Sequence, residues 1–247
     1  ANQRLNMKMI DLQAVYNRNI QALTAADCSE QVLSNKQHLL SGEHELWGIP
    51  FKLGPVGEKP NIVLLGDESI VIPLSERLTA RQLVFVHAAD FKESEAEADG
   101  IYHPMMGNPR LGETVCVYQL NYADGSSYEA PIKRRYQISE FRTNWGENSF
   151  EAVKHLKPIS IPEKSEERPE HTSFPWGKTQ IRSTFQGERA PMHHWLYAME
   201  NPFPDKPIAS ITLQPADGTV FLFGITAMQA SEHPLRWEAR RKIVLTS

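Results

Sequence analysis

Residues Thr114-Val-Cys-Val-Tyr-Gln-Leu-Asn-Tyr122, then Ala123-Asp-Gly-Ser126, then Ser127-Tyr-Glu-Ala-Pro-Ile132, decide the fold class. Apolar side chains recur at every second position, the period that gives a strand one buried face. Asp124-Gly125 supplies the left-handed backbone conformations of a tight turn, so the stretch reads as a β-hairpin.

The same punctuation extends along the chain. Alternating or short apolar runs bounded by Gly, Pro, Asn and Asp predict strands at Asn61 to Leu65, Ser69 to Pro73, Gln82 to His87, Trp195 to Glu200, Ile208 to Gln214 and Val220 to Gln229. A second hairpin is expected where Ile208 to Leu213 meets Val220 to Ile225 through Pro215-Ala-Asp-Gly218. Helical periodicity is scarce, and Gln13 to Leu40 has the composition for a helical turn or two, with Asn17 and Asn19 opposing anything longer. The expected fold is all-β, a two-layer antiparallel jelly-roll sandwich. Lys157 to Arg189 carries Pro158, Pro162, Pro169 and Pro175 in a charged, Ser-containing run, and it reads as a loop insertion within one domain spanning 1–247.

Composition narrows the function classes. Apolar residues make up 40% and charged residues 23% of the 247, enough for a packed core. The net charge of -4 argues against nucleic acid held by a basic surface. The basic runs Lys133-Arg134-Arg135 and Arg240-Arg241-Lys242 read as solvated strand edges. No apolar run reaches the length of a membrane-spanning helix. The chain starts at Ala1 without a signal-peptide pattern, which suggests a processed or excised piece of something longer. Cys28 and Cys116 lack metal or redox spacing; two ordinary thiols are expected, with a disulfide as the alternative in an oxidising compartment. No cofactor is expected.

Motifs for nucleophilic, nucleotide-dependent or zinc-dependent catalysis are absent from the sequence. A carboxylate pair of the glycosidase kind has no fixed spacing, so a glycan hydrolase or lyase stays as a third reading. His193-His194-Trp195 and His87 with Asp90 are the suggestive polar clusters, and each His reads more simply as a hydrogen-bonded scaffold residue. Glu93, Glu95, Glu97 and Asp99 fall in an acidic, solvated loop that could attract a cation, although like-charged loops are usually just loops. Sugar recognition needs an aromatic ring for the apolar face of the sugar and polar groups for its hydroxyls. Trp145 and Trp176 lie in loop-like sequence near Arg142, Asn144, Lys178 and Arg182, and Tyr102-His103 is a second such pair, with packing of either Trp against the sandwich as the plainer alternative. Trp47 and Trp195 adjoin strands and are expected in the core, while Pro234 to Trp237 suits a contact with a following domain.

Several separated pieces together resemble the galactose-binding-like β-sandwich domains that accompany catalytic domains in bacterial glycan-degrading proteins. They are Ile10-Asp-Leu12 with Tyr16-Asn17, Gly48-Ile-Pro-Phe51, Leu83-Val-Phe-Val-His-Ala-Ala89, Gly112-Glu-Thr114, Tyr122-Ala-Asp-Gly125, Glu200-Asn-Pro-Phe-Pro-Asp205 and Ile208-Ala-Ser-Ile211. The resemblance implies two packed sheets and a noncatalytic accessory role, typically carbohydrate binding, in a periplasmic or extracellular setting. The expected partners are a glycan and a catalytic domain in the same protein, not nucleic acid or a membrane. A purely structural or protein-interaction module is the main competitor. An aromatic-lined cleft favours the first reading, a flat apolar patch the second, and convergent carboxylates in a deep pocket the third.

Overall fold

The structure, a computed structural model, describes residues 6–92, 111–143, 149–156, 159–160, 182–183 and 192–235, with backbone only at 75–77, 159–160 and 182–183. Its strands are β1 (Met7–Ile10), β2 (Glu43–Leu46), β3 (Ile49–Lys52), β4 (Val63–Leu65), β5 (Ile70–Leu78), β6 (Gln82–Ala89) and β7 (Thr114–Tyr122). They continue with β8 (Ser127–Lys133), β9 (Val153–Lys154), β10 (Ile159–Ser160), β11 (Arg182–Ser183), β12 (Trp195–Glu200), β13 (Ile208–Pro215) and β14 (Val220–Met228). Among the described residues the longest helix is the single turn α1 (Glu30–Leu33), capped by the Ser29 hydroxyl. No described helix is long and apolar enough to cross a membrane.

β7 and β8 form the hairpin read from the sequence, with Tyr118 opposite Ala130 and Asn121 opposite Ser127. Gly125 turns the chain at φ +86, where a Cβ carries a steric penalty. The Asp124 carboxylate accepts from the Ser126 N–H at 2.9 Å and the Lys206 ammonium at 2.7 Å. That ammonium lies 4.9 Å from the Phe203 ring, so the turn is fastened to the bend at 201–206. At the bend, buried Asn201 accepts from the Tyr122 hydroxyl (2.6 Å) and the Phe203 N–H (3.0 Å) and donates to Ala80 O (2.8 Å).

Two main antiparallel sheets result. One runs β5-β13-β7-β8; the other runs β1-β14-β6-β12-β9, with β4 also paired to β14. Both contain strands from before and after the 157–189 segment. They share one core: Phe85, Leu83 and Leu222 of the larger sheet join Tyr118, Leu120 and Ile211 of the smaller. This is a sandwich-like arrangement of antiparallel sheets.

The larger sheet is buried on both faces. Val84, Val86, Phe221 and Phe223 point away from the first core into a second, built with Ile20, Leu23, Val32, Leu46, Phe51 and Phe141. The β2–β3 hairpin belongs to this covering layer. Its turn, Trp47-Gly48, has φ +58 and +77, the two positive values of a type I′ turn. A covering layer of turns and hairpin thus adds to the two expected layers, and it explains why β6 and β14 read as continuous apolar runs instead of alternating.

Two expectations are corrected. β13 and β14 do not form a hairpin: β13 pairs with β5 and β7, and β14 with β1, β6 and β4. The chain crosses between sheets at 216–219, fixed by Asp217 N–H to Thr114 O and Asp90 N–H to Thr219 O. β14 is buried at all nine positions and β13 only at Ile208, Ile211 and Leu213, so the two belong to layers with different surroundings. The run Lys133-Arg134-Arg135 is not a solvated edge either. Lys133 is exposed, but Arg134 and Arg135 are buried. The Arg134 guanidinium lies between Glu140 (2.8 Å) and Glu113 (3.5 Å) and bonds Asp90 O, and burial of that charge is tolerated because it is paired. Arg240-Arg241-Lys242 lies outside the described residues.

Candidate functional site

Beside the first core, the open side of the sheets forms a cleft of about 430 Å³. β8 contributes Tyr128, Ala130, Pro131 and Lys133, the following turn Tyr136 and Gln137, and β12 Tyr197, with Glu151 and Gly112 at the margins. The tyrosines are half-buried, each partly packed and partly accessible.

The turn that carries Tyr136 is self-supporting. The Gln137 amide oxygen accepts from Lys133 N–H (2.9 Å), while Tyr136 O accepts from Glu151 N–H, Ala152 N–H and the Ser149 hydroxyl. The Tyr136 ring packs against Phe150 at 5.0 Å. Behind Tyr197 lies His87, fully buried, its ring stacked on that of Tyr197 at 6.3 Å and 5°. His87 Nε2 lies 2.9 Å from Gln137 O, and a carbonyl only accepts, so Nε2 carries the proton and Nδ1 accepts from the Tyr118 hydroxyl at 2.7 Å. Burial lowers the His87 pKa to about 4. The scaffold reading of His87 holds in this geometry. Burial raises the Tyr197 phenol, with Glu151 and Tyr128 adding to the effect.

Along the same strand, Trp195 is buried, donates its indole N–H to Glu140 O at 2.8 Å, and carries the Lys154 ammonium 5.9 Å above its ring. His193 meets Trp195 edge-on at 6.4 Å. Burial is the first cause lowering the His193 pKa to about 3, reinforced by Lys154, His155 and Arg142. His194 is fully buried: its ring Nε2 accepts from Leu40 N–H at 3.1 Å, and its backbone N–H donates to His155 Nδ1 at 3.1 Å. His155 is likewise lowered to about 4, chiefly by burial. These histidines are neutral scaffold, and no group of three or more His, Cys, Asp or Glu is arranged to hold a metal among the described residues. Cys28 and Cys116 are free thiols in different core clusters, both pushed up by burial, Cys28 to about 12.

Of the residues singled out in the sequence, Arg142 is exposed beside His193, and Arg182 lies in β11 with its backbone opposite Ser160. Trp145, Asn144, Trp176, Tyr102, His103, Lys178 and Trp237 lie outside the described residues, as does the acidic run from Glu93 to Asp99. Trp195 is in the core as expected; Trp47 is only half-buried, in the hairpin turn, and its indole donates to Lys154 O at 2.9 Å. The cleft tyrosines are absent from the sequence-derived site. Tyr128 and Tyr197 sit inside predicted strands and Tyr136 follows a basic run, so local sequence marks none of them as loop-borne. The discriminating signal is position: β8 and β12 carry their rings where the sheets open. No protein-family model and no curated protein matches the chain.

Proposed function

We propose that the chain is a noncatalytic carbohydrate-binding module, a galactose-binding-like jelly roll serving as an accessory to a glycan-active protein. One observation carries the reading: Tyr128, Tyr136 and Tyr197 line a single open cleft with Lys133, Gln137 and Glu151 among them. Aromatic rings cover the apolar faces of sugars, and the amide, ammonium and carboxylate bond hydroxyls. The pairing of strands from both sides of the 157–189 segment supports reading it as an excursion within one unit. Glu151 is the one carboxylate among the described lining residues, which disfavours hydrolysis by a carboxylate pair at this cleft.

A glycan array on the chain, followed by calorimetry with the best oligosaccharide, tests the proposal. Removing one stacking ring (Tyr136→Ala) should weaken binding about 5- to 150-fold, the equivalent of roughly 1–3 kcal/mol at an interface anchor. Binding that is unchanged in Tyr128→Ala, Tyr136→Ala and Tyr197→Ala places any glycan elsewhere, and absence of binding across the array removes the proposal.

A further inference from the structure

We infer that this module recognises an acidic glycan, with Lys154 and Arg142 taking the oxyanion of a uronate or sulfate group beside the tyrosine cleft; the inference rests on the carbohydrate-binding reading above. Trp195 and Tyr197 are alternate residues of β12 and so share a face, roughly 6–7 Å apart along the strand. Lys154 pairs with Trp195 in the ladder and its ammonium lies over that ring, two residues along β12 from Tyr197 in the cleft.

Basic groups gather around His193. His193 feels Lys154, His155 and Arg142, and no carboxylate is paired with Lys154 or Arg142 among the described residues. The Lys154 ammonium is half-buried and burial lowers its pKa, which is the condition of a cation short of counter-charge. His193 adds a buried Nδ1 with no hydrogen-bond partner among the described residues.

The surrounding carboxylates define the polarity of the site. Glu140 is committed to Arg134, with its backbone oxygen bonded to Trp195. Glu151 lies near Tyr197, three residues before Lys154, and disfavours an anion at the tyrosine end. An acidic sugar therefore fits in one direction, with neutral rings on the tyrosines and its oxyanion at Lys154 and Arg142. The indole face under Lys154 keeps the ammonium in place, and a charge-assisted bond there is stronger than a neutral one.

The test compares neutral and acidic oligosaccharides of equal length, glucose-based and glucuronate- or sulfate-bearing, by calorimetry at low salt. Wild type should bind the uronate or the sulfate ligand at least tenfold more tightly than the neutral one, and which of the two gains more identifies the oxyanion. Lys154→Gln and Arg142→Gln should each cost the acidic ligand about 5- to 10-fold, from a charged hydrogen bond of roughly 1–1.5 kcal/mol at a half-exposed site, while leaving the neutral ligand within about twofold. Arg142 is exposed, so its variant keeps the test valid if Lys154→Gln disturbs the fold, which melting curves report. Neutral and acidic ligands binding equally, or both variants weakening the two alike, overturns the inference and leaves the carbohydrate reading standing. No binding of any oligosaccharide overturns both.

Discussion

Acid should destabilise this protein through its buried neutral histidines, and His87 isolates the effect. Its pKa falls from 6.5 to about 4 on folding because burial disfavours the imidazolium. Between those values the unfolded chain binds a proton that the native state refuses, so stability is lost as pH falls through this window and is unaffected above it. At pH 5 the unfolded imidazole is almost fully protonated and the native one about one-tenth protonated, so His87 alone removes about 2 kcal/mol relative to neutral pH. His155 and His193, lowered to about 4 and about 3, act in the same direction. The assay is urea unfolding at pH 7.5 and pH 5 for wild type and His87→Gln. The substitution lowers stability at pH 7.5 by breaking the Tyr118 contact, but its loss between the two pH values should be about 2 kcal/mol smaller than in wild type. Equal pH dependence in both proteins would refute a neutral buried His87.

Other predictions follow from the backbone and the bend at 201–206. A Cβ at Gly54 would stand 1.8 Å from Asn61 O and 2.5 Å from its carbonyl carbon, so Gly54→Ala should cost about 3 kcal/mol or more and lower Tm by at least about 6 °C. A Cβ at Gly125 meets nothing within 4 Å, and Gly125→Val suffers only from its φ of +86; a cost of about 1–2 kcal/mol and a fall of about 2–8 °C are expected by calorimetry, and an unchanged Tm would contradict the hairpin turn. Asn201→Ala leaves the Tyr122 hydroxyl and Ala80 O unpaired and should cost about 2–4 kcal/mol in urea unfolding, whereas Asn201→Asp should retain part of the Tyr122 bond.

The hairpin at Asp124-Gly125 and the longer strands were legible because alternation and turn chemistry act over a few residues. The partner of β14 was also written in the sequence. Val220-Phe-Leu-Phe-Gly-Ile-Thr-Ala-Met228 is apolar on both faces, whereas Ile208-Ala-Ser-Ile-Thr-Leu213 alternates, and strands so different do not share a half-exposed sheet. The Asp217-Gly218 pair is a strong local turn signal and by itself favours a hairpin there. The interior of Arg134 was not legible, since its partners Glu113 and Glu140 converge on it only through tertiary packing. The tyrosine cleft was hidden for a related reason. Tyr128 and Tyr197 have strand neighbours on both sides, and only the edge position of β8 in its sheet and the opening beside β12 turn two strand residues into a ligand-facing surface.

A bound glycan should contact Tyr128, Tyr136 and Tyr197. Ring-labelled tyrosine gives seven signals in this chain, few enough to assign by substitution and to follow during titration with an oligosaccharide. Saturable shifts are expected at Tyr128, Tyr136 and Tyr197, with Tyr118 and Tyr122, buried in the core and the bend, unmoved. Shifts confined to the other tyrosines, or none with any glycan, would contradict it.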